Sequence, residues 1–257
     1  MGIEGIFDRA AESYGQVGFD FFGYFAAKLI DEIAPARGSC LLDVACGTGA
    51  LLTAAASVIG DEGILVGIDV SPGMLRQVTT PSGARPPHLA RMDAEHLGLI
   101  SASFDTVVSG FAFSYFRSPE QTMREMRRVL RTDGQLGIVF SAGWWWQDDP
   151  RWTWHANLLN RLGYRVDEAD RRLRDPAIIE AILRTAGFSN LELRVERYPL
   201  VWEDFEEWWR WCWSHGYRAV LEQLSAVQLG EYKRNCSRRL DSTTVEGDLP
   251  VLIVRSV

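Results

Sequence analysis

Lysine is nearly absent from this sequence. Only Lys28 and Lys233 stand among 27 basic residues, and 34 acidic residues leave a formal net charge of −7. A surface with that balance repels phosphate backbones, which argues against a nucleic-acid partner. The arginine pairs at 127–128, 171–172 and 238–239 lie among acids and read as solvated helix faces. Cysteine is scarce too. Cys40, Cys46, Cys212 and Cys236 form no CxxC and have no histidine at metal-ligand spacing, so reduced thiols and no metal site are expected. No apolar run approaches the ~20 residues of a membrane span. The opening MGIEGIFDRAAESYG lacks the basic and apolar regions of a secretory signal. A cytoplasmic protein without a membrane partner is expected.

What is present is an ordinary globular composition, 47% hydrophobic and 24% charged over 257 residues, long enough for one large α/β domain. Short apolar runs alternate with amphipathic stretches. Residues 40–44 and 64–70 read as buried strands, 88–91 as a short third, 104–111 as a fourth and 135–140 as a fifth. Between them, 49–59 reads as a small-residue helix stopped by Gly60, and Ser71-Pro72 opens another through Val78. Ser118-Pro119 starts the clearest helix, with Gln121 completing a capping box and Met123, Met126 and Leu130 on one face. A further helix is predicted over 175–187 and strands over 190–200 and 249–254. Such alternation predicts a doubly wound, mostly parallel sheet with helices on both faces. All ten tryptophans fall between Trp144 and Trp213, in two groups that read as insertions forming a cap. The expected organisation is one domain over residues 1–257, with cap segments at about 1–36, 143–175 and 201–245.

The loop Asp43-Val44-Ala45-Cys46-Gly47-Thr48-Gly49 closes the first strand and opens a helix, where doubly wound sheets bind ligands. A dinucleotide loop needs a third small residue, but Leu52 occupies that place, and Asp43 would repel a pyrophosphate. A nucleoside without phosphate fits better. Asp69 ends the second strand, placed to accept both ribose hydroxyls. Asp93 follows the third, placed to accept an exocyclic amine, with Met74 and Met92 as apolar walls.

The segments LLDVACGTGALL, GIDVSPGML, RMDAEHLGLISASFDTVVSGFAFSYF and REMRRVLRTDGQLGIV resemble, in order and spacing, the motifs of class I S-adenosylmethionine-dependent methyltransferases. The resemblance runs from about Phe7 to Phe140 and is greatest to the small-molecule branch that includes the ubiquinone and menaquinone C-methyltransferases. It implies a Rossmann-like seven-stranded sheet, mostly parallel with an antiparallel last strand, under an aromatic-rich helical cap. It implies S-adenosylmethionine as cofactor and S-adenosylhomocysteine as product. Ala45 and Gly47 would face the methionine part, and Asp43 would orient its ammonium. Asp69 would take the ribose, and Asp93 with Ala94 would read the adenine between Val70 and Met74. Ser109 and Gly110 would lie beneath the sulfonium, and Tyr14, in FDRAAESYG, would close over the carboxylate. Ala45 departs from the glycine that many members carry.

Methyl transfer from a sulfonium is an in-line displacement governed by positioning, and a base is needed only for a protonated acceptor. His155 and His215 follow tryptophans in the two cap groups and are the candidate bases. His88 and His96 flank the adenine motif and are set aside. Tyr115 is a further catalytic candidate, and Ser114 with Trp144, Trp145 and Trp146 are candidate acceptor contacts. Most other tryptophans have helical spacings that suit packing. The expected activity is methylation at O, N or C of a small aromatic or polyketide-like acceptor in secondary metabolism, by a monomer or homodimer. The alternative keeps the cofactor and drops the methylation: a cyclase-like catalyst or binding protein of the same fold.

Overall fold

The computed structural model of the protein describes residues 3–143, 149–164, 173, 175–240 and 244–256. Trp144, Trp145 and Trp146 lie outside the described residues.

Seven strands form one sheet: β1 (Cys40–Val44), β2 (Ile64–Asp69), β3 (His88–Arg91), β4 (Phe104–Gly110), β5 (Leu130–Ser141), β6 (Leu191–Trp202) and β7 (Val245–Ser256). Their order is β3-β2-β1-β4-β5-β7-β6. The first five pair in parallel, and β7 runs antiparallel between β5 and β6. The crossovers β1–α3–β2 and β4–α5–β5 use α3 (Ala50–Ile59) and α5 (Pro119–Val129). The chain reverses its direction of progress across the sheet between β1 and β4, which opens a crevice at their carboxyl ends.

Side chains alternate across the sheet with the period of a strand. Leu41, Val108, Val139, Val251 and Ile253 face one core, shared with α3 and with α2 (Phe21–Ile33). Leu42, Val107, Ile138, Leu252 and Val254 face the other, shared with α5 and with α7 (Pro176–Thr185). Helix α2 buries Phe25, Leu29 and Ile30, each contributing about 1.5–3 kcal/mol of transfer free energy. Leu52, the residue that spoils a dinucleotide loop, is buried against a bare strand: a Cβ at Gly67 would stand 2.7 Å from its Cδ1. The small residue that brings helix and sheet together is therefore on β2, not on the helix.

Three boundaries differ from the sequence expectation. Ser118 Oγ accepts from the Gln121 amide, but the Gln121 side chain donates to the Glu95 carbonyl, so the capping box is not closed. Helix α4 (Pro72–Arg76) stops short of Val78. Strand β7 runs over twelve residues, well beyond the predicted 249–254, because it pairs along its whole length with β6, whose span holds within two residues of the predicted 190–200.

The cap is built from α1 (Ile3–Ala10), α6 (Thr153–Arg161), α8 (Phe205–Trp213), α9 (Arg218–Leu221) and α10 (Ala226–Arg239). Trp202 and Trp208 are fully buried in the same core as α2 and α3, which joins cap and sheet into one packed body. No helix among the described residues is long and apolar enough to cross a membrane.

Candidate active site

Three connected chambers open at the carboxyl ends of β1, β2 and β4. The largest, about 360 Å³, runs from the glycine loop past Asp69, Val70 and Met74 to Met92, Asp93 and Ala94. A small one of about 40 Å³ reaches Asp43 beneath the loop. The third, about 70 Å³, lies under the cap and is lined by Phe21, Phe22, Ser114, Trp211 and His215. Tyr14 and Phe111 border all three, and Tyr115 divides the first from the third.

The loop holds its shape through left-handed backbone. Ala45 has φ 57° and Gly47 has φ 53°. That conformation is open to glycine at no cost and strained for alanine, which accounts for the glycine other family members place at the first of these positions. The Gly47 amide donates to Asp69 Oδ2 at 2.9 Å, and the Ser71 amide donates to Asp69 Oδ1 at 2.8 Å. Burial raises the Asp69 carboxyl, and these donors oppose the rise without cancelling it. The carboxylate also lines the main chamber.

Asp43 is different. It is 1% exposed, and neither carboxylate oxygen has a hydrogen-bond partner among the described residues. Burial, together with the Asp69 charge, drives its carboxyl well above the usual carboxylate range. A buried acid without a donor is costly unless a cation completes it.

At the far end, Asp93 accepts from the Glu95 amide at 2.9 Å and from Arg117 at 3.0 Å. Glu4, Phe7, Glu95, Phe111 and Arg117 line the main chamber and were not singled out from sequence. Phe111 has φ 56°, a strained conformation for a bulky residue, and its amide donates to the Val139 carbonyl. No residue pattern announces such a backbone.

In the chamber under the cap, His215 Nδ1 lies 2.6 Å from the Trp211 carbonyl. A carbonyl only accepts, so Nδ1 carries the proton and Nε2 offers its lone pair. Burial lowers this imidazole to about 4, against a smaller opposing effect of the Trp211 bond. His155 does not belong here. It is fully buried inside the cap, with Nε2 2.6 Å from the Tyr232 hydroxyl and 3.1 Å from that of Tyr217. This candidate base therefore occupies a packing position among the cap helices and lines none of the three chambers. Ser109 is buried, and its hydroxyl donates to the Val44 carbonyl at 2.8 Å and ties β4 to β1, while Gly110 lines the cavity. His88 and His96 are exposed.

Comparison with known proteins agrees with this geometry. Residues 42–138 match a methyltransferase domain. Nocamycin O-methyltransferase of Saccharothrix syringae is 33% identical over 273 residues, covering 97% of this chain and 96% of that relative. The chain is a class I S-adenosylmethionine-dependent methyltransferase. Aklanonic acid methyltransferase DauC of Streptomyces sp. (strain C5) is 33% identical over 143 residues, which span 53% of this chain and 65% of that relative. Phosphoethanolamine N-methyltransferase 2 of Haemonchus contortus, solved in complex with S-adenosyl-L-methionine, shares the fold with a TM-score of 0.58 at 16% identity, over 97% of this chain and 57% of that one. As a member of that family, the chain has S-adenosylmethionine as its methyl donor. The orphaned Asp43 carboxylate fits such a cationic ligand and would oppose a pyrophosphate.

Proposed function

We propose that this methyltransferase transfers the methyl group to an acidic hydroxyl, a phenol or an enol, of a small aromatic or polyketide-like molecule in secondary metabolism. The chamber beneath the cap carries the proposal: aromatic rings line it, and the His215 imidazole in its wall is held neutral. The aklanonic acid methyltransferase and nocamycin O-methyltransferase relatives support a small-molecule acceptor, the latter methylated at oxygen. The net charge of −7 supports a free small molecule in the cytoplasm over a nucleic acid.

When bound, S-adenosylmethionine supplies a methyl group on a sulfonium, already activated for displacement. Asp69 would accept the ribose hydroxyls beside the Gly47 and Ser71 amides, and Asp43 would complete the ammonium from below. Val70, Met74 and Ala94 would pack the adenine, with Asp93 at its edge. His215 Nε2 takes the acceptor proton as the oxygen becomes nucleophilic, and Nδ1 keeps its bond to Trp211. A base lowered to about 4 removes protons only from acidic hydroxyls, which favours phenols and enols over alcohols. Tyr14, Phe111 and Tyr115 wall the junction and exclude water, so positioning supplies most of the acceleration.

The test is release of S-adenosylhomocysteine across four acceptor sets: phenols, enolisable 1,3-dicarbonyls, amines and carboxylates. Turnover in the first two sets alone supports the proposal. Turnover with amines or carboxylates alone overturns the acceptor class, and conversion of an acceptor without S-adenosylhomocysteine would return the cyclase-like alternative.

A further inference from the structure

A line of hydrogen bonds leads from the N-terminal helix into the cofactor cavity. On α1, Asp8 Oδ1 accepts from the Ser71 hydroxyl at 2.6 Å and from the Gly73 amide at 2.7 Å. Ser71 is fully buried; its hydroxyl accepts from the Met74 amide, and its own amide donates to Asp69 Oδ1. Asp69 Oδ2 then holds the Gly47 amide. One carboxylate on a surface helix is therefore continuous with the ribose-side acid and the glycine loop.

The approach of the two helices is close. A Cβ at Gly73 would stand 2.6 Å from Asp8 Oδ1 and 3.1 Å from Asp8 Cα, so α1 reaches this depth only because residue 73 has no side chain. The same helix carries Glu4 and Phe7 into the wall of the main chamber, and Phe7 packs edge-on against Tyr115 at 5.1 Å. On its other side Arg9 pairs with Glu222, and Arg218 donates to the Arg9 carbonyl at 3.1 Å. Helix α1 thus bridges the cofactor floor and the cap, with the short Asp8 contacts on the cofactor side.

We propose that Asp8 is a positioning residue for the cofactor: through one carboxylate oxygen it seats α1 over the cavity and, through Ser71, sets the orientation of Asp69. Asp8 itself need not touch the ligand. The proposal rests on the reading of Asp69 as the ribose acid. It follows that Asp8 governs how long the cofactor stays, because the helix must lift from Ser71 and Gly73 to open the wall it forms.

The experiment measures affinity by calorimetry and dissociation by stopped-flow tryptophan fluorescence, with S-adenosylmethionine and S-adenosylhomocysteine as probes. Asp8→Ala is expected to weaken both by about tenfold, the scale of hydrogen bonds to a charged group, chiefly through faster dissociation. Asp8→Asn keeps a carbonyl oxygen at the Oδ1 position and recovers most of the loss. Unchanged affinity and dissociation in Asp8→Ala overturn the proposal. An Asn variant as weak as the Ala variant also overturns it, since charge and not the placed oxygen would then be acting. Where Asp8→Ala does not fold, Gly73→Ala displaces α1 with Asp8 intact and must accelerate dissociation equally. Asp69→Ala is measured alongside: if it binds like the wild type, the ribose assignment fails first, whereas weak binding there with normal binding in Asp8→Ala removes the Asp8 proposal alone.

Discussion

Asp43 and Asp69 are neighbouring buried acids with opposite provisions: Asp69 holds the Gly47 and Ser71 amides, and Asp43 holds no donor among the described residues. The free energy that the fold withholds from Asp43 is what a cationic ligand recovers.

Replacing that acid separates stability from binding. With its carboxyl raised, folded protein binds more protons than unfolded protein above the ordinary value of 3.8, so Asp43 lowers stability as pH rises. Asp43→Asn is expected to melt at a higher temperature than wild type at neutral pH without ligand, and to bind S-adenosylmethionine about ten- to a hundredfold more weakly. Calorimetry in two buffers of different ionisation enthalpy should show proton release on binding to wild type and none in the variant.

His155 makes the complementary case. Its imidazole is held near 3 by burial, against 6.5 when exposed. Between those values the unfolded chain binds a proton that the fold refuses, so stability is full above about pH 6.5 and falls by about 1.4 kcal/mol per pH unit below it. His155→Phe removes that slope and takes one hydrogen bond each from the Tyr217 and Tyr232 hydroxyls, which still bond each other, costing about 1–3 kcal/mol at neutral pH. Denaturant melts at several pH values check both parts, and affinity for the cofactor should stay unchanged.

His215 separates chemistry from cofactor binding. His215→Asn is expected to bind S-adenosylmethionine normally while turnover falls about a hundredfold or more, the range of general base catalysis. In the wild type, a base near 4 stays unprotonated, so the turnover profile should be flat from pH 8 down to about 5. An acid limb near 6.5 would show an ordinary, solvated histidine instead.

Gly216 should control the wall between chambers. A Cβ there would meet the Tyr115 hydroxyl oxygen at 1.8 Å and its Cζ at 2.7 Å. Gly216→Ala is expected to raise the acceptor KM by about tenfold by displacing Tyr115, and the same change in a Tyr115→Ala background should have little further effect. Additive losses in the two variants would show that the residues act separately.

Much of this was legible from residues. The strand-end acids Asp43, Asp69 and Asp93 and the loop around Gly47 announce themselves because ligand sites in doubly wound sheets fall at fixed places along the chain. The acceptor side did not. Phe111 and Gly216 act through backbone shape and through what a missing Cβ permits, neither of which a pattern records. Asp8 and Ser71 meet across 63 residues of sequence. His155 was misplaced because a histidine beside tryptophans reads equally as a pocket wall and as a packed core, and only the tyrosines from α10 and the start of α9 distinguish them.

The most direct measurement follows the methyl group itself. Incubation with S-adenosylmethionine labelled by carbon-13 in its methyl group, and with the phenol or enol that releases most S-adenosylhomocysteine, is read by carbon NMR of the product. The account predicts one labelled methoxy carbon per S-adenosylhomocysteine formed. Label on ring carbon or nitrogen, or an altered acceptor with the label still on sulfur, would contradict it.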